Sequence, residues 1–305
     1  MRSAFSAALT RLGRDNPDVL LITGDHGYAL FDEFRTACPD QFINAGIAEQ
    51  NMVGMAAGLA RLGFRPFVYG LSAFVPIRVV EQIKMDIAHD DLPVVLLGDG
   101  AGFVYSHLGP SHQSAEDIAC ARSVPGLTVL SPGDRYEMAA CMDLAYDLRG
   151  PVYMRMGKAD RGEVHAGTLS PLVVGEPICV RSGPADAPAL LATGAMLTTA
   201  VQLAEQHGPM AVWSVPSVKP LSTEAIAAIA RSSSAIVVME EHSVHGGLGA
   251  AVTEIVTEVE PCRVLRIGIR DRFSKHCGSY DYLLREHGLD LASVKERVDA
   301  FTATI

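Results

Sequence analysis

Apolar residues along this chain fall into short unbroken runs separated by longer stretches of mixed character. The runs are 18–23, 65–70, 92–98, 127–132 and 151–156, followed by 187–194, 210–215, 234–241 and 262–268. Hydrophobic positions within them do not alternate with polar ones. That pattern marks strands covered on both faces, as in parallel sheets flanked by helices. Most intervals leave room for a helix between consecutive strands. The expected fold class is α/β, with mostly parallel sheets flanked by helices. The opening segment MRSAFSAALTRLGRDNPDVLL reads as an amphipathic helix, and Met1 at its head reads as a natural start.

Segment 158–177 is rich in Gly, Pro and polar residues and separates the first five runs from the last four. It is the expected linker. Two domains follow, at about 1–165 and 175–305, each large enough to bury its own core.

Composition narrows the possibilities. Hydrophobic residues make up 49% and charged residues 20% of the chain, which excludes a disordered protein. The net charge is −10 and no long basic run is present, so nucleic acid is not an expected partner. No apolar run reaches the roughly 18 residues of a membrane span, and the N-terminus lacks the apolar centre of a signal peptide. Six cysteines are scattered without a CxxC pair, which argues against a zinc knuckle and for a reducing, cytoplasmic setting.

The stretch with most chemical content is INAGIAEQNMVGMAAGLARLG, residues 43–63. Its Ala and Gly content suits a helix packed closely against a neighbour, although each Gly costs about 1 kcal/mol against Ala. Glu49 and Gln50 stand at its start. Glu49 can serve simply as a negative charge favoured by the helix N-terminus. A buried carboxylate there would otherwise need a partner. Local spacing leaves both readings open.

GIAEQNMVGMAAGLA resembles the cofactor-activating segment of transketolases and deoxyxylulose-phosphate synthases, and the resemblance continues through most of the chain. It implies a thiamine-diphosphate-binding fold followed by a transketolase C-terminal-like domain. It also implies that Glu49 hydrogen-bonds N1′ of the aminopyrimidine of thiamine diphosphate, sharing a proton that promotes cofactor activation. Segment 69–94 resembles the part of the family that packs on the pyrimidine. There Phe74 matches the stacking aromatic, and Arg78 a basic position of the synthases. GPSHQ at 109–113 resembles the family's Gly-Pro-Thr-His-Gln, which places His112 at the reacting carbon as a catalytic and substrate-binding group. His107 lies nearby, where the family has an acidic residue. Asp25, in TGDHGYALF, matches an aspartate near the thiazolium, with His26 beside it. Lys158 matches a phosphate-contacting basic position. EEHSVHGGLG at 240–249 resembles the C-terminal domain, whose expected job is chiefly subunit packing, and its glycines suit a tight strand-to-helix turn.

The same resemblance exposes gaps. Family members hold the diphosphate through Mg²⁺ with Gly-Asp-Gly and, downstream, paired asparagines. Gly-Asp-Gly is present at 98–100, but the chain has only Asn16, Asn44 and Asn51, none adjacent and none after Asp99. The implied partner is a separate N-terminal-half subunit that holds the diphosphate and most of the Mg²⁺ shell, in a heterodimer or α₂β₂ assembly. Leu108 stands where transketolases have an aspartate that reads a substrate hydroxyl, and Gly100 where a basic residue approaches the substrate phosphate. The implied activity is ketol transfer from a ketose to an aldehyde, with a substrate other than the ordinary pentose phosphates. Two alternatives stay open: decarboxylation of a 2-oxo acid, as in the synthases or oxo-acid dehydrogenase β subunits, and a non-catalytic scaffold.

Overall fold

The computed structural model describes residues 1–157, 161–208 and 210–305. The first half carries β1 (Val19–Thr23), β2 (Phe42–Asn44), β3 (Arg65–Leu71), β4 (Val95–Asp99), β5 (Thr128–Leu130) and β6 (Val152–Met156). The second half carries β7 (Ile178–Arg181), β8 (Ala189–Ala192), β9 (Ala211–Ser214), β10 (Ser217–Lys219), β11 (Ile236–Ser243) and β12 (Val264–Ile269). All nine apolar runs coincide with strands.

Two sheets result, ordered β10-β5-β6-β4-β3-β1-β2 and β12-β11-β8-β9-β7. Pairing is parallel except for β10 with β5 and β7 with β9. β1, β4 and β6 are buried along their full length, as strands covered by helices on both faces must be. The three strands that no apolar run announces, β2, β7 and β10, are edge strands of three or four residues. β2 and β7 are half exposed, and each is too short for its apolar residues to stand out as a run. β10 belongs to the second half by sequence yet closes one edge of the first sheet.

Residues 161–177 contain no helix or strand. One apolar cluster nevertheless joins the halves: Met52, Val53 and Ala56 of the helix Glu49–Arg61 belong to the same buried group as Val215, Val218 and Ile226. A buried ion pair lies deeper in the same region. Arg155 on β6 donates to both oxygens of Asp117, at 2.8 and 3.0 Å, and the Tyr153 hydroxyl adds a third donor. Burying two charges is tolerable only when they are paired and hydrogen-bonded in this way.

The glycines at 246–249 form the turn from β11 to the helix Leu248–Glu258, as their sequence suggested. Glu240 occupies the N-terminus of that helix, its carboxylate accepting the Leu248 and Gly249 N–H groups at 2.8 and 2.9 Å. A Cβ on Gly247 would collide with this carboxylate, so glycine there is required by Glu240.

Candidate active site

Glu49 is the first residue of its helix and is only 4% exposed. The helix buries Met52, Val53, Ala56, Ala57 and Ala60, which draws its first turn down beside the sheet. Arg78 donates to Glu49 Oε2 at 3.0 Å. Glu49 Oε1 is buried and has no hydrogen-bond partner. The helix dipole favours a carboxylate here, but neither oxygen is engaged in capping the helix. An unmet buried polar atom costs about 1–3 kcal/mol, so Oε1 awaits a hydrogen-bonding partner.

Phe74 and Arg78 share one turn after β3, in which the Arg78 N–H donates to the Phe74 carbonyl at 3.0 Å. The guanidinium of Arg78 lies 4.0 Å from the centre of the Phe74 ring. Arg78 thus bridges the buried carboxylate and the aromatic face. His112 meets Phe74 edge-on, with ring centres 5.5 Å apart, and His26 lies 6.4 Å away on the same ring. Ser111 Oγ contacts His112 Nδ1 at 2.9 Å, and the Tyr105 ring is 6.5 Å from His112. Glu49, Arg78, Phe74, His112 and His26, which lie in four separate stretches of sequence, therefore form one chain of contacts.

Asp25 sits at the edge of this group. Its backbone is left-handed (φ 64°), and Asn44 donates to its carboxylate at 3.1 Å. Asp25 and His26 line a cavity of about 270 Å³ beyond the ends of β1 and β2, and His26 Nδ1 is buried without a partner. His107 is exposed on the turn Ser106–Leu108 and makes no ring contact or hydrogen bond with the cluster. Lys158 lies outside the described residues.

Asp99, the acidic member of the Gly-Asp-Gly triplet, is buried, and the hydroxyls of Tyr69 and Tyr105 donate to it at 2.7 and 2.9 Å. Burial and the adjacent carboxylate push both phenols above their ordinary range. Arg2 lies 3.5 Å away. Among the described residues, no group of three His, Cys, Asp or Glu side chains is disposed to hold a metal. Gly100 has φ 82°, and a Cβ there would collide with the Tyr105 ring. Tyr105 therefore occupies the space into which a basic side chain at position 100 would extend. Nothing in the sequence motifs marked Tyr105 or Tyr69; both are recognisable only once β3 and β4 are paired.

The chain matches the transketolase pyrimidine-binding domain over residues 1–162 and the transketolase C-terminal domain over residues 180–294. It belongs to the transketolase family. It is 35% identical to one of the subunits of an apulose-4-phosphate transketolase from Phocaeicola vulgatus, over 95% of this chain and 93% of the relative. It is 36% identical to a 1-deoxy-D-xylulose-5-phosphate synthase of Chlorobium luteolum, covering 98% of this chain but 48% of that protein. Among solved structures, a split-gene transketolase described as an inactive β4 tetramer superimposes with a TM-score of 0.87 at 33% identity, covering 98% of this chain and 96% of the other.

Proposed function

We propose that this chain is the C-terminal-half subunit of a split, thiamine-diphosphate-dependent transketolase, divided into a pyrimidine-binding unit (1–165) and a C-terminal unit (175–305). The observation that carries the reading is the buried, unpartnered Oε1 of Glu49 beside the Phe74–His112 ring pair. A buried carboxyl oxygen without a partner, next to an aromatic face, suits a flat heterocycle whose ring nitrogen can share one proton with it. When bound, thiamine diphosphate supplies the nucleophilic carbon for breaking and remaking the carbon–carbon bond.

The chain's own residues divide the remaining work. Glu49 Oε1 would hold the proton shared with the pyrimidine nitrogen, while Arg78 donates to Oε2 and fixes the carboxyl in place. Phe74 would stack against the ring. His112, oriented through Nδ1 by Ser111, binds the ketose hydroxyl and moves its proton. His26, His107, Asp25 and Lys158 remain the proposed further contacts to substrate and cofactor.

The diphosphate and Mg²⁺ belong, in this reading, to a separate N-terminal-half subunit, with α₂β₂ as the working assembly. The outer face of the Glu49–Arg61 helix supports this. Gly54 and Gly58 have nothing packed over them, and Ile47 and Leu62 at its ends are 77% and 76% exposed. A cytoplasmic location fits the six free cysteines; no described helix is long and apolar enough to cross a membrane.

The substrate is proposed to differ from the housekeeping pentose phosphates. Leu108 offers no hydroxyl reader, and Tyr105 fills the space beside Gly100. The relative named for apulose 4-phosphate, similar along almost its whole length, supports a specialised sugar phosphate. The test is reconstitution with a companion chain carrying Gly-Asp-Gly and paired asparagines, followed by assay of ketose donors and aldehyde acceptors. Release of CO₂ from pyruvate would favour the synthase reading instead. Turnover with xylulose and ribose 5-phosphates as fast as a housekeeping enzyme would remove the specialised-substrate reading. Full activity of Glu49→Ala would favour a scaffold.

A further inference from the structure

Residues 102–114 form a loop whose two ends pair with each other. Gly102 N–H donates to the Ser114 carbonyl at 2.8 Å, and Ser114 N–H returns to the Gly102 carbonyl at 2.9 Å. His112 rides on the returning limb. Each limb is also tied to the second half of the chain. On the outgoing limb, the Phe103 N–H donates to buried Glu241 at 2.6 Å. On the returning limb, Ser274 Oγ donates to Gln113 Oε1 at 2.7 Å and meets His287 Nε2 at 3.0 Å. A serine hydroxyl has one proton. With that proton on Gln113, the His287 Nε2–H is the donor to Ser274, and the three side chains form a directed relay. Gln113 is 8% and His287 6% exposed, and the His287 ring lies 4.7 Å from the Phe103 ring. The relay thus closes a circuit between both limbs of the loop.

We propose that Ser274 is a positioning residue: with His287, it holds Gln113, and through the adjoining peptide His112, in working register from the second half of the chain. The inference rests on the reading of His112 as the group that handles the substrate hydroxyl. It gives the C-terminal half a part in the site that its sequence, read as subunit packing, did not suggest. Displacement of a reacting group by about an ångström costs up to a hundredfold in rate, so a single hydroxyl at this distance has measurable leverage.

The experiment uses the reconstituted complex with Ser274→Ala and Ser274→Thr, each in the native background and in His112→Ala. Ser274→Ala is expected to lower kcat roughly tenfold while the affinity for thiamine diphosphate stays unchanged. Ser274→Thr, which keeps the hydroxyl, should restore the rate. Added to His112→Ala, Ser274→Ala should cost less than about twofold, because two residues acting through one group are not additive. Native kcat in Ser274→Ala, or an equal loss in both backgrounds, would overturn the proposal. Native turnover in His112→Ala would overturn the reading beneath it as well, and is recognisable separately. In the isolated chain, the His112 ring resonances should shift in Ser274→Ala and not in Ser274→Thr; unchanged resonances in both would also reject the relay.

Discussion

Arg78 and Glu49 form a 3.0 Å ion pair in which only the carboxylate is buried, the two side chains being 47% and 5% exposed. Glu49→Gln should therefore separate stability from function. Removing a buried charge leaves the melting temperature of the chain unchanged or higher, while turnover of the assembled enzyme falls by about 10²–10⁴. Arg78→Ala should do the reverse to the fold, stranding the carboxylate at a cost of about 1–3 kcal/mol. Thermal melts and steady-state rates on the same preparations check both.

Phe74 is touched by Arg78, His112 and His26. Phe74→Ala should weaken thiamine diphosphate binding to the assembled complex by roughly tenfold, a loss of ring contact on the order of 1 kcal/mol. Phe74→Tyr should bind normally. Isothermal titration with the cofactor in the presence of Mg²⁺ measures the difference, and equal affinity of all three proteins would contradict the stacking role.

The Asp117–Arg155 pair is buried on both sides. Asp117→Asn should destabilise the chain by about 3–5 kcal/mol, because Arg155 would stay buried and charged after losing its hydrogen-bonded counterion. The double replacement Asp117→Leu with Arg155→Met should lose less than the sum of the single changes. Urea unfolding of Asp117→Asn, of the single replacements Asp117→Leu and Arg155→Met, and of the double decides this.

His242 is fully buried, donating from Nδ1 to the Ser243 carbonyl at 2.8 Å and accepting the Ala119 N–H on Nε2 at 3.2 Å. Burial lowers its pKa from 6.5 to about 4. Between those values the unfolded chain binds more protons than the folded one. The stability that His242 contributes is therefore complete above pH 6.5 and is lost as pH falls towards 4, on the order of 3 kcal/mol. Glu240, pushed up to about 7 by burial, acts in the opposite sense: its contribution is complete below pH 4.5 and lost by about pH 7. The two slopes partly cancel in the native protein. In His242→Gln the first is removed, so the gap in unfolding free energy between native and variant should widen as pH rises from 4 to 6.5. Parallel pH profiles would contradict this assignment.

Strands with uninterrupted apolar runs, such as VLLIT at β1, were legible because burial on both faces leaves its mark on every residue. β10 was not, because Ser-Val-Lys owes its place to the partner strand β5 rather than to its own composition. The same divide runs through the site. Glu49, Phe74 and His112 lie in motifs that can be matched residue by residue. Tyr105, Ser274 and His287 act through contacts formed only on folding, and Gln113 and Ser274 are 161 residues apart in the chain. Gly100 stands out in the sequence as a missing basic side chain, whereas the tyrosine ring five residues on that fills its space is visible only in three dimensions.

The placement of β10 bears on how far this polypeptide can be subdivided. Cutting after position 165 would strip β5 of its antiparallel neighbour and bare a row of unsatisfied amides next to apolar Val129 and Leu130. Such a truncated product would be prone to self-association through the raw margin. A break in the polypeptide at this junction would be resisted by the chain's own architecture.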